Sequence, residues 1–112
     1  MIETKKLTPE ISVCAQPSVK DIALLHTLGF KSIVCNRPDG EAIDQSLYSE
    51  IAQTCAYAGL KTAYLPVSAD GPTAKDAAHM AELLKSLPPP VLAYCKSGAR
   101  SEALVNTVTA KA

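Results

Sequence analysis

The sequence predicts an α/β domain whose central, mostly parallel sheet is flanked by helices. Short apolar runs alternate along the chain with segments of helical periodicity. The apolar runs lack clean alternation with polar residues, which is typical of strands buried on both faces. A chain of 112 residues can bury one hydrophobic core but not two. We therefore predict a single domain over residues 1–112.

Four segments fit buried strands: 11–15 (ISVCA), 32–36 (SIVCN), 62–67 (TAYLPV) and 91–95 (VLAYC). Parallel strands joined through helices end at the same edge of their sheet, and binding sites lie outside that edge. The segments NRPDGE and SADGP each follow a strand. We expect both of them to gather beside Cys95.

Four helices are predicted from their caps and from apolar residues at helical spacing. The first should begin at Ser18, whose hydroxyl can cap the backbone, with Asp21 three residues later. The third should begin at Thr73 with Asp76 in its first turn, and the fourth should begin near Arg100. The apolar positions are Ile22, Leu25 and Leu28; Leu47, Ile51, Cys55 and Ala58; Met80, Leu84 and Leu87; and Leu104, Val105 and Val108.

Composition argues against several classes of function. Eleven basic and eleven acidic residues cancel, and aromatic residues are only 4%, so we expect no nucleic-acid partner. The first ten residues lack the apolar stretch of a secretory signal, and no apolar run could span a membrane. We expect a cytoplasmic protein without a membrane partner. The four cysteines match no zinc spacing, so we expect free thiols, no metal site and no cofactor.

The segment PVLAYCKSGARS, residues 90–101, contains the strongest functional pattern. Cys95 ends an apolar strand, and the next residues lead directly into a helix, so backbone N–H groups can point at one spot and favour a thiolate there. Arg100 adds a fixed positive charge, and Gly98 gives the backbone freedom that a tight ring needs. This order of residues predicts an activated nucleophile. Three further cysteines lack these surroundings and are expected to be structural thiols: Cys14, Cys35 and Cys55.

The stretch YCKSGARS resembles the active-site loop of the rhodanese sulfurtransferases, a cysteine-led ring of six residues, here residues 95–100. Cysteine-dependent phosphatases have a ring of seven and usually a histidine before the cysteine, where this chain has Tyr94. A persulfide adds a single sulfur about 2 Å from the first, whereas a phosphoryl group carries three oxygens. Ring size therefore favours sulfur transfer, with a poor fit for phosphate.

ISVCAQPS, IVCNRPDGE, YLPVSADGP and PVLAYCKSGARS together resemble a small bacterial family with a dual-specificity-phosphatase-like fold. It occurs alone or at the front of beta-lactamase-hydrolase-like proteins. Its members are described both as phosphatases and as sulfurtransferases associated with sulfide oxidation. The resemblance implies that Cys95 is the nucleophile, that Arg100 helps to hold the anion, and that the Ser101 hydroxyl helps the cysteine thiolate to leave. The implied cradle amides are those of Lys96, Ser97, Gly98 and Ala99.

The same resemblance points to three residues outside the ring. Asp70 lies where a phosphatase keeps its general acid, but it is 25 residues before Cys95, a shorter interval than is usual. Asp followed by Gly and Pro is also a turn signal, and we favour the turn. The resemblance implies that Arg37 and Glu41 form an ion pair that braces the cysteine loop.

We therefore expect a sulfurtransferase. The Cys95 thiolate would take sulfane sulfur from thiosulfate or a low-molecular-weight persulfide and pass it to a thiol or cyanide acceptor. Lys96 would attract the small anionic donor, and enzymes of sulfide oxidation are the expected partners. Two alternatives stay open. One is a phosphatase that uses Cys95 and Arg100 with Asp70 as acid, and the other is a non-catalytic persulfide carrier or sensor.

Overall fold

The computed structural model describes residues 2–110, which form a five-stranded mixed sheet flanked by four helices. The predicted domain, 1–112, also includes residues 1, 111 and 112, which lie outside the described residues. The strands are β1 (Thr4–Thr8), β2 (Ile11–Cys14), β3 (Ser32–Cys35), β4 (Lys61–Tyr64) and β5 (Val91–Tyr94). The helices are α1 (Asp21–Thr27), α2 (Tyr48–Ala58), α3 (Ala74–Ser86) and α4 (Ala99–Ala110).

The strands lie in the order β1-β2-β5-β3-β4, and the last four run parallel. Their register is aligned, so that Cys14 of β2 and Cys35 of β3 both pair with Tyr94 of β5. All four parallel strands therefore end at one edge of the sheet, with β5 in the middle. The predicted α/β class with a mostly parallel sheet is confirmed.

Strand β1 is the element that the sequence analysis missed. It pairs antiparallel with β2 at the edge of the sheet, with Thr4 opposite Cys14, and its register shifts between Lys6 and Thr8. Its sequence, TKKLT, contains a single apolar residue and so gives no signal of a buried strand. Lysines on an edge strand discourage pairing with other chains, which explains this composition.

Two hydrophobic clusters pack on the two faces of the sheet. Helices α3 and α4 cover one face, and α1 and α2 cover the other. The first cluster includes Val34, Val67, Met80, Ala93, Leu104 and Val105. The second includes Ile22, Leu25, Ile51, Cys55, Leu92 and Tyr94. Burial on both faces accounts for strands without polar alternation.

The third helix begins as predicted. The Thr73 hydroxyl accepts a hydrogen bond from the Asp76 N–H, and the Asp76 carboxylate accepts one from the Thr73 N–H. The prediction for the first helix is wrong, because α1 begins at Asp21 and not at Ser18. The Ser18 hydroxyl donates to the Asp21 carboxylate, and residues 18–21 form a turn before the helix.

Two of the apolar residues that helical spacing assigned to the first two helices lie outside them and are exposed. Leu28 is 57% exposed, because α1 ends at Thr27 and Leu28 is the capping residue that follows it. Leu47 is 46% exposed, because it is the residue before the first turn of α2. None of the helices formed by residues 2–110 has the length and apolar character needed to cross a membrane.

Candidate active site

Cys95 lies directly after β5, at the centre of the carboxyl edge of the sheet. Residues 95–100, the cysteine ring, connect β5 to α4, and Arg100 already belongs to the first helical turn. Only 1% of Cys95 is exposed. A thiol in this position is surrounded by unpaired N–H groups of the helix start and by little water.

Backbone N–H groups converge on the Cys95 sulfur, and the Gly98 nitrogen lies 3.1 Å from it. Burial raises the pKa of Cys95, but the N–H groups of Ser101, Gly98, Arg100 and Ser97 outweigh burial and lower it below its ordinary value. Two of these donors were expected in the cradle, Ser97 and Gly98. The other two, Arg100 and Ser101, come from the first turn of α4. The direction of an N–H group depends on the local backbone conformation, which the position of a residue in the sequence does not give.

The remaining predicted cradle residues have other contacts. The Ala99 N–H donates to the Ser97 hydroxyl at 3.4 Å, and the Lys96 carbonyl accepts from the Gln16 N–H at 3.3 Å. The Lys96 side chain is exposed, which leaves its charge free to act on an approaching anion.

Gly98 is the tightest point of the ring. Its φ of +99° is one that side chains disfavour, and a Cβ on it would lie 3.3 Å from the carbonyl carbon and oxygen of Cys14. The end of β2 therefore packs directly against the ring. A side chain at this position would require the ring or the end of β2 to move by a few tenths of an ångström, beside an N–H that donates to the sulfur.

Arg100 is fixed by a carboxylate and a carbonyl. Its Nη1 donates to Glu41 Oε2 and to the Val67 carbonyl, both at 2.8 Å, and its Nη2 donates to Glu41 Oε1 at 2.7 Å. Hydrogen bonds to Glu41 raise the pKa of Arg100, and the nearby Cys95 adds to this effect. A guanidinium has five N–H donors, so Glu41 and Val67 leave two of them, Nε–H and one Nη2–H, available on the side of the Cys95 sulfur, which itself interacts with the guanidinium.

Arg37 and Glu41 form the ion pair that the family resemblance implied. Arg37 Nε donates to Glu41 Oε1 at 3.1 Å, and its Nη1 donates to Gln16 Oε1 at 3.3 Å. Arg37 is 5% exposed, so its charge is buried beside the site. Hydrogen bonds from Arg100 and Arg37 outweigh burial and lower the pKa of Glu41. One carboxylate thus binds two guanidinium groups.

Ser101 and Asn36 are both fully buried and bind each other. The Ser101 hydroxyl donates to Asn36 Oδ1 at 2.9 Å, so its proton points to Asn36 and not to Cys95. The sequence analysis named Ser101 but missed Asn36. A polar residue directly after the apolar strand SIVC, at the edge where the site forms, was the available signal.

Asp70 lies in an exposed turn after β4. The Gly71 N–H donates to the Ser68 carbonyl at 2.9 Å, and the Asp70 N–H donates to the Ser68 hydroxyl at 3.2 Å. The turn follows Val67, whose carbonyl accepts from Arg100, so the segment borders the site. Within residues 2–110, no hydrogen bond joins the Asp70 carboxylate to the cysteine ring.

A cavity of about 640 Å³ lies on the β1 side of the ring and is lined in part by residues 97–99. Glu3, Asp21 and Glu102 border it, together with Lys5, which binds both carboxylate oxygens of Glu102 at 3.1 Å. Neither Cys95 nor Arg100 is among its lining residues, so the cavity lies beside the ring and not over the sulfur.

The other three cysteines are buried free thiols. Burial raises the pKa of Cys55 to about 11 and also raises that of Cys35. Burial, with a contribution from the charge of Cys95, raises the pKa of Cys14 to about 12. In the described part of the chain, no cluster of His, Cys, Asp and Glu side chains could hold a metal ion.

The sheet order, the cysteine after the central strand and the arginine in the following helix turn define the cysteine-phosphatase-like class of α/β domains. Residues 3–112 match the model of the phosphatase-like domain of beta-lactamase hydrolase-like proteins. The chain belongs to that family. A beta-lactamase hydrolase-like protein of Agrobacterium fabrum is 30% identical over 96 residues, which are 86% of this chain and 22% of that relative. The chain thus spans about a fifth of the length of the curated relative.

Solved structures give the same classification. A Neisseria meningitidis protein described as a candidate phosphatase is 32% identical, with a TM-score of 0.87 over 95% of this chain and 75% of that one. A Shewanella putrefaciens protein described in the same way is 19% identical, with a TM-score of 0.84 over 96% and 68%. The catalytic domain of a Saccharomyces cerevisiae PP-IP phosphatase is 19% identical, with a TM-score of 0.76 over 96% and 64%. The last two similarities show the fold alone.

We predict that Cys95 reacts with small alkylating reagents before the other three thiols. Among the four cysteines it alone has a lowered pKa, so at any pH below the usual thiol range a larger fraction of Cys95 than of the others is thiolate. Its alkylation rate should rise with pH through its pKa and then level off. Peptide mass spectrometry after brief exposure to iodoacetamide measures this order. Equal labelling of Cys14, Cys35, Cys55 and Cys95 would contradict it.

We predict that Gly98→Ala slows Cys95 alkylation about tenfold at mildly acidic pH, a loss equivalent to about one pKa unit. The added Cβ would lie 3.3 Å from the Cys14 backbone, so the ring and the end of β2 must move apart by a few tenths of an ångström. Gly29→Ala is the matched control, because Gly29 has a φ of +100° with nothing within 4 Å of the added carbon. Both variants should lose about 1–2 kcal/mol of stability from left-handed strain. Equal alkylation rates in the two would refute the steric argument.

Proposed function

We propose that the chain is a cysteine-dependent phosphatase that acts on small phosphate monoesters. The observation that supports this most directly is the pair of N–H donors on Arg100 that Glu41 and Val67 leave available. Nε–H and the remaining Nη2–H lie side by side, close to the Cys95 sulfur, and this edge of a guanidinium matches two oxygens of one anion. The persulfide intermediate of a sulfurtransferase offers no such pair of oxygens, whereas a thiosulfate donor offers them only before its sulfite leaves.

The family adds support for the same reaction. The matching family model describes a phosphatase-like domain, and the Neisseria meningitidis relative, at 32% identity, is described as a candidate phosphatase. The ring of six residues, one fewer than in cysteine-dependent phosphatases, favours sulfur transfer instead. However, two of the four N–H groups at the sulfur come from the first turn of α4. We propose that an oxyanion binds at this helix start, beside the sulfur and at the mouth of the ring.

The proposed reaction has two steps. The Cys95 thiolate attacks phosphorus, an S–P bond forms, the P–O bond to the leaving group breaks, and the bond electrons depart with the leaving oxygen. Water then attacks phosphorus, the S–P bond breaks, and inorganic phosphate leaves with Cys95 restored as a thiolate. Arg100 and the ring amides stabilise the oxygens that gain charge in both steps.

Asp70 limits the range of substrates in this proposal. An alkoxide leaving group needs a proton from an acid beside the site, and the Asp70 carboxylate lies in an exposed turn. Aryl phosphates release a stable aryloxide and need that proton far less. We therefore propose substrates with good leaving groups, or substrates whose own binding brings residues 68–71 closer to the ring.

Sulfur transfer is the second candidate, and the six-residue ring favours it. The N–H groups of the ring converge on the cysteine sulfur itself, a geometry that also suits a persulfide one bond longer. Cys95 would attack the outer sulfur of thiosulfate, an S–S bond would form, and sulfite would leave with the electron pair. An acceptor thiolate would then take that sulfur and restore Cys95. Cytoplasmic localisation and partners in sulfide oxidation stay predictions.

We predict that the native protein hydrolyses aryl phosphates and that Cys95→Ser abolishes the reaction. Arg100→Lys keeps the charge but loses the paired donors, so kcat/KM should fall about 10²–10³-fold. Lys96→Ala, which removes only an exposed charge, should have a small effect. The assay is run beside intact-mass analysis after thiosulfate treatment. The phosphatase proposal would be replaced by sulfur transfer if the native protein showed no hydrolysis and gained the mass of one sulfur, and if Cys95→Ser did not gain it. Loading without turnover on small acceptors would indicate a carrier.

We predict that Asp70→Asn changes aryl phosphate hydrolysis only a few fold, because an aryloxide leaves without full protonation. Sulfur transfer, if present, should change equally little. The measurement is kcat/KM across aryl phosphates of different leaving-group pKa, with the exposed Asp44→Asn as control. A loss of about 10²–10⁴-fold that grows with leaving-group pKa would instead identify Asp70 as a general acid.

A further inference from the structure

Asn36 is an uncharged polar residue with no exposed surface, directly after β3. Both of its side-chain groups and both of its backbone groups form hydrogen bonds. Its N–H donates to the Tyr94 carbonyl at 2.7 Å, and its carbonyl accepts from the Val67 N–H at 2.8 Å. Its Nδ2 donates to the Leu65 carbonyl at 3.0 Å, and its Oδ1 accepts from the Ser101 hydroxyl at 2.9 Å. One residue thus connects the ends of β3, β4 and β5 to the start of α4.

The first route from Asn36 to the cysteine runs through Ser101. The side chain of Ser101 is held by Asn36 Oδ1, while the N–H of the same residue is one of the donors directed at the Cys95 sulfur. Fixing the hydroxyl fixes the rotation of the first turn of α4. The direction of that N–H, on which the strength of its hydrogen bond depends, is therefore set from β3.

The second route runs through Arg100. The Asn36 carbonyl binds the Val67 N–H, and the Val67 carbonyl binds Arg100 Nη1 at 2.8 Å. Asn36 Nδ2 holds the same segment two residues earlier, at Leu65. The carbonyl that orients the guanidinium is thereby held by both the backbone and the side chain of one buried residue.

We propose that Asn36 is the positioning residue of this site, aligning both the Ser101 N–H and the Arg100 guanidinium with the Cys95 sulfur. The proposal rests on Cys95 being the nucleophile, which both candidate functions share, and it does not depend on which group is transferred. Asn36 itself touches no reacting atom. It acts by holding the parts that do.

The charged and titratable groups around Cys95 can be separated from the effect of Asn36, which carries no charge. Arg100 and Glu41 face the site from α4 and from the segment after β3, and Arg37 lies behind Glu41. The Cys14 thiol lies across from it at the end of β2. Lys96 is exposed beside it, and Glu102 of α4 is paired with Lys5. Replacing Asn36 changes none of these charges, so a shifted titration of Cys95 would report altered positions.

The test measures the rate of Cys95 alkylation by iodoacetamide against pH in Asn36→Ala, Ser101→Ala and the double variant. We expect the pH midpoint to rise by about half a unit to one unit in each single variant, which slows alkylation near pH 6 by about three- to tenfold. Because the two residues act together, the double variant should shift no further than the larger single shift. The assay needs no turnover, so it is independent of the reaction that the protein catalyses.

Ser32→Ala is the matched control. Ser32 is also fully buried, lies at the other end of β3, and donates its hydroxyl to the Pro88 carbonyl at 2.8 Å. The Ser32→Ala variant should lose thermal stability as Ser101→Ala does, but the pH midpoint of Cys95 alkylation should not change. If Asn36→Ala does not fold, the comparison of Ser101→Ala with Ser32→Ala decides.

Three outcomes would overturn the proposal. The first is an unchanged midpoint in folded Ser101→Ala, and the second is an equal shift in Ser32→Ala, which would mean that general loosening suffices. The third is a lower midpoint in Asn36→Ala, which would mean that Asn36 withholds the Ser101 hydroxyl from the thiolate. A rise confined to the Asn36 and Ser101 variants supports it.

Discussion

The convergence of four backbone N–H groups on one buried sulfur is the constraint on which the rest of the site depends. A thiolate with 1% exposure loses most of its hydration, and only directed donors can replace that water. The four N–H groups come from Ser97, Gly98, Arg100 and Ser101. Their directions require a glycine at the tightest point, a helix that begins inside the ring, and the end of β2 packed beneath it.

Charge balance explains why three further residues gather around that sulfur. Arg37 and Arg100 share the single carboxylate of Glu41, so the three side chains carry a net positive charge beside a negative sulfur. Glu41 uses both oxygens to hold Nη1 and Nη2 of Arg100, and this leaves the Nε–Nη2 edge of the guanidinium on the side of the Cys95 sulfur. In the reaction that we propose, an incoming oxyanion would meet two donors that are already oriented, which is the condition for strong electrostatic stabilisation.

The choice between a phosphoryl group and a sulfur depends on what lies above the sulfur. With four residues between Cys95 and Arg100, the ring is one residue shorter than in cysteine-dependent phosphatases, which favours transfer of a small group. Ring length sets where the Arg100 backbone lies, but Glu41 and Val67 orient its guanidinium from two other segments. The Nε–Nη2 edge of Arg100 and the family relationship favour an oxyanion, while the exposed turn of Asp70 favours leaving groups that need no proton.

The sequence by itself determined the class of fold, most element positions, the reactive cysteine and its arginine, because these depend on contacts close in the chain. The alternation of apolar runs with helical periodicity, and the Thr73–Asp76 cap, are local patterns. Ser18 and Leu28 were misplaced because turns at the ends of α1 override propensity, and β1 was missed because an exposed edge strand needs no apolar face. Only the tertiary structure decided which N–H groups reach the sulfur, that Glu41 binds Arg100, and that Asn36 connects three strand ends to α4. The physical reason is that hydrogen-bond partners 59 and 65 positions apart leave no periodic trace in the sequence.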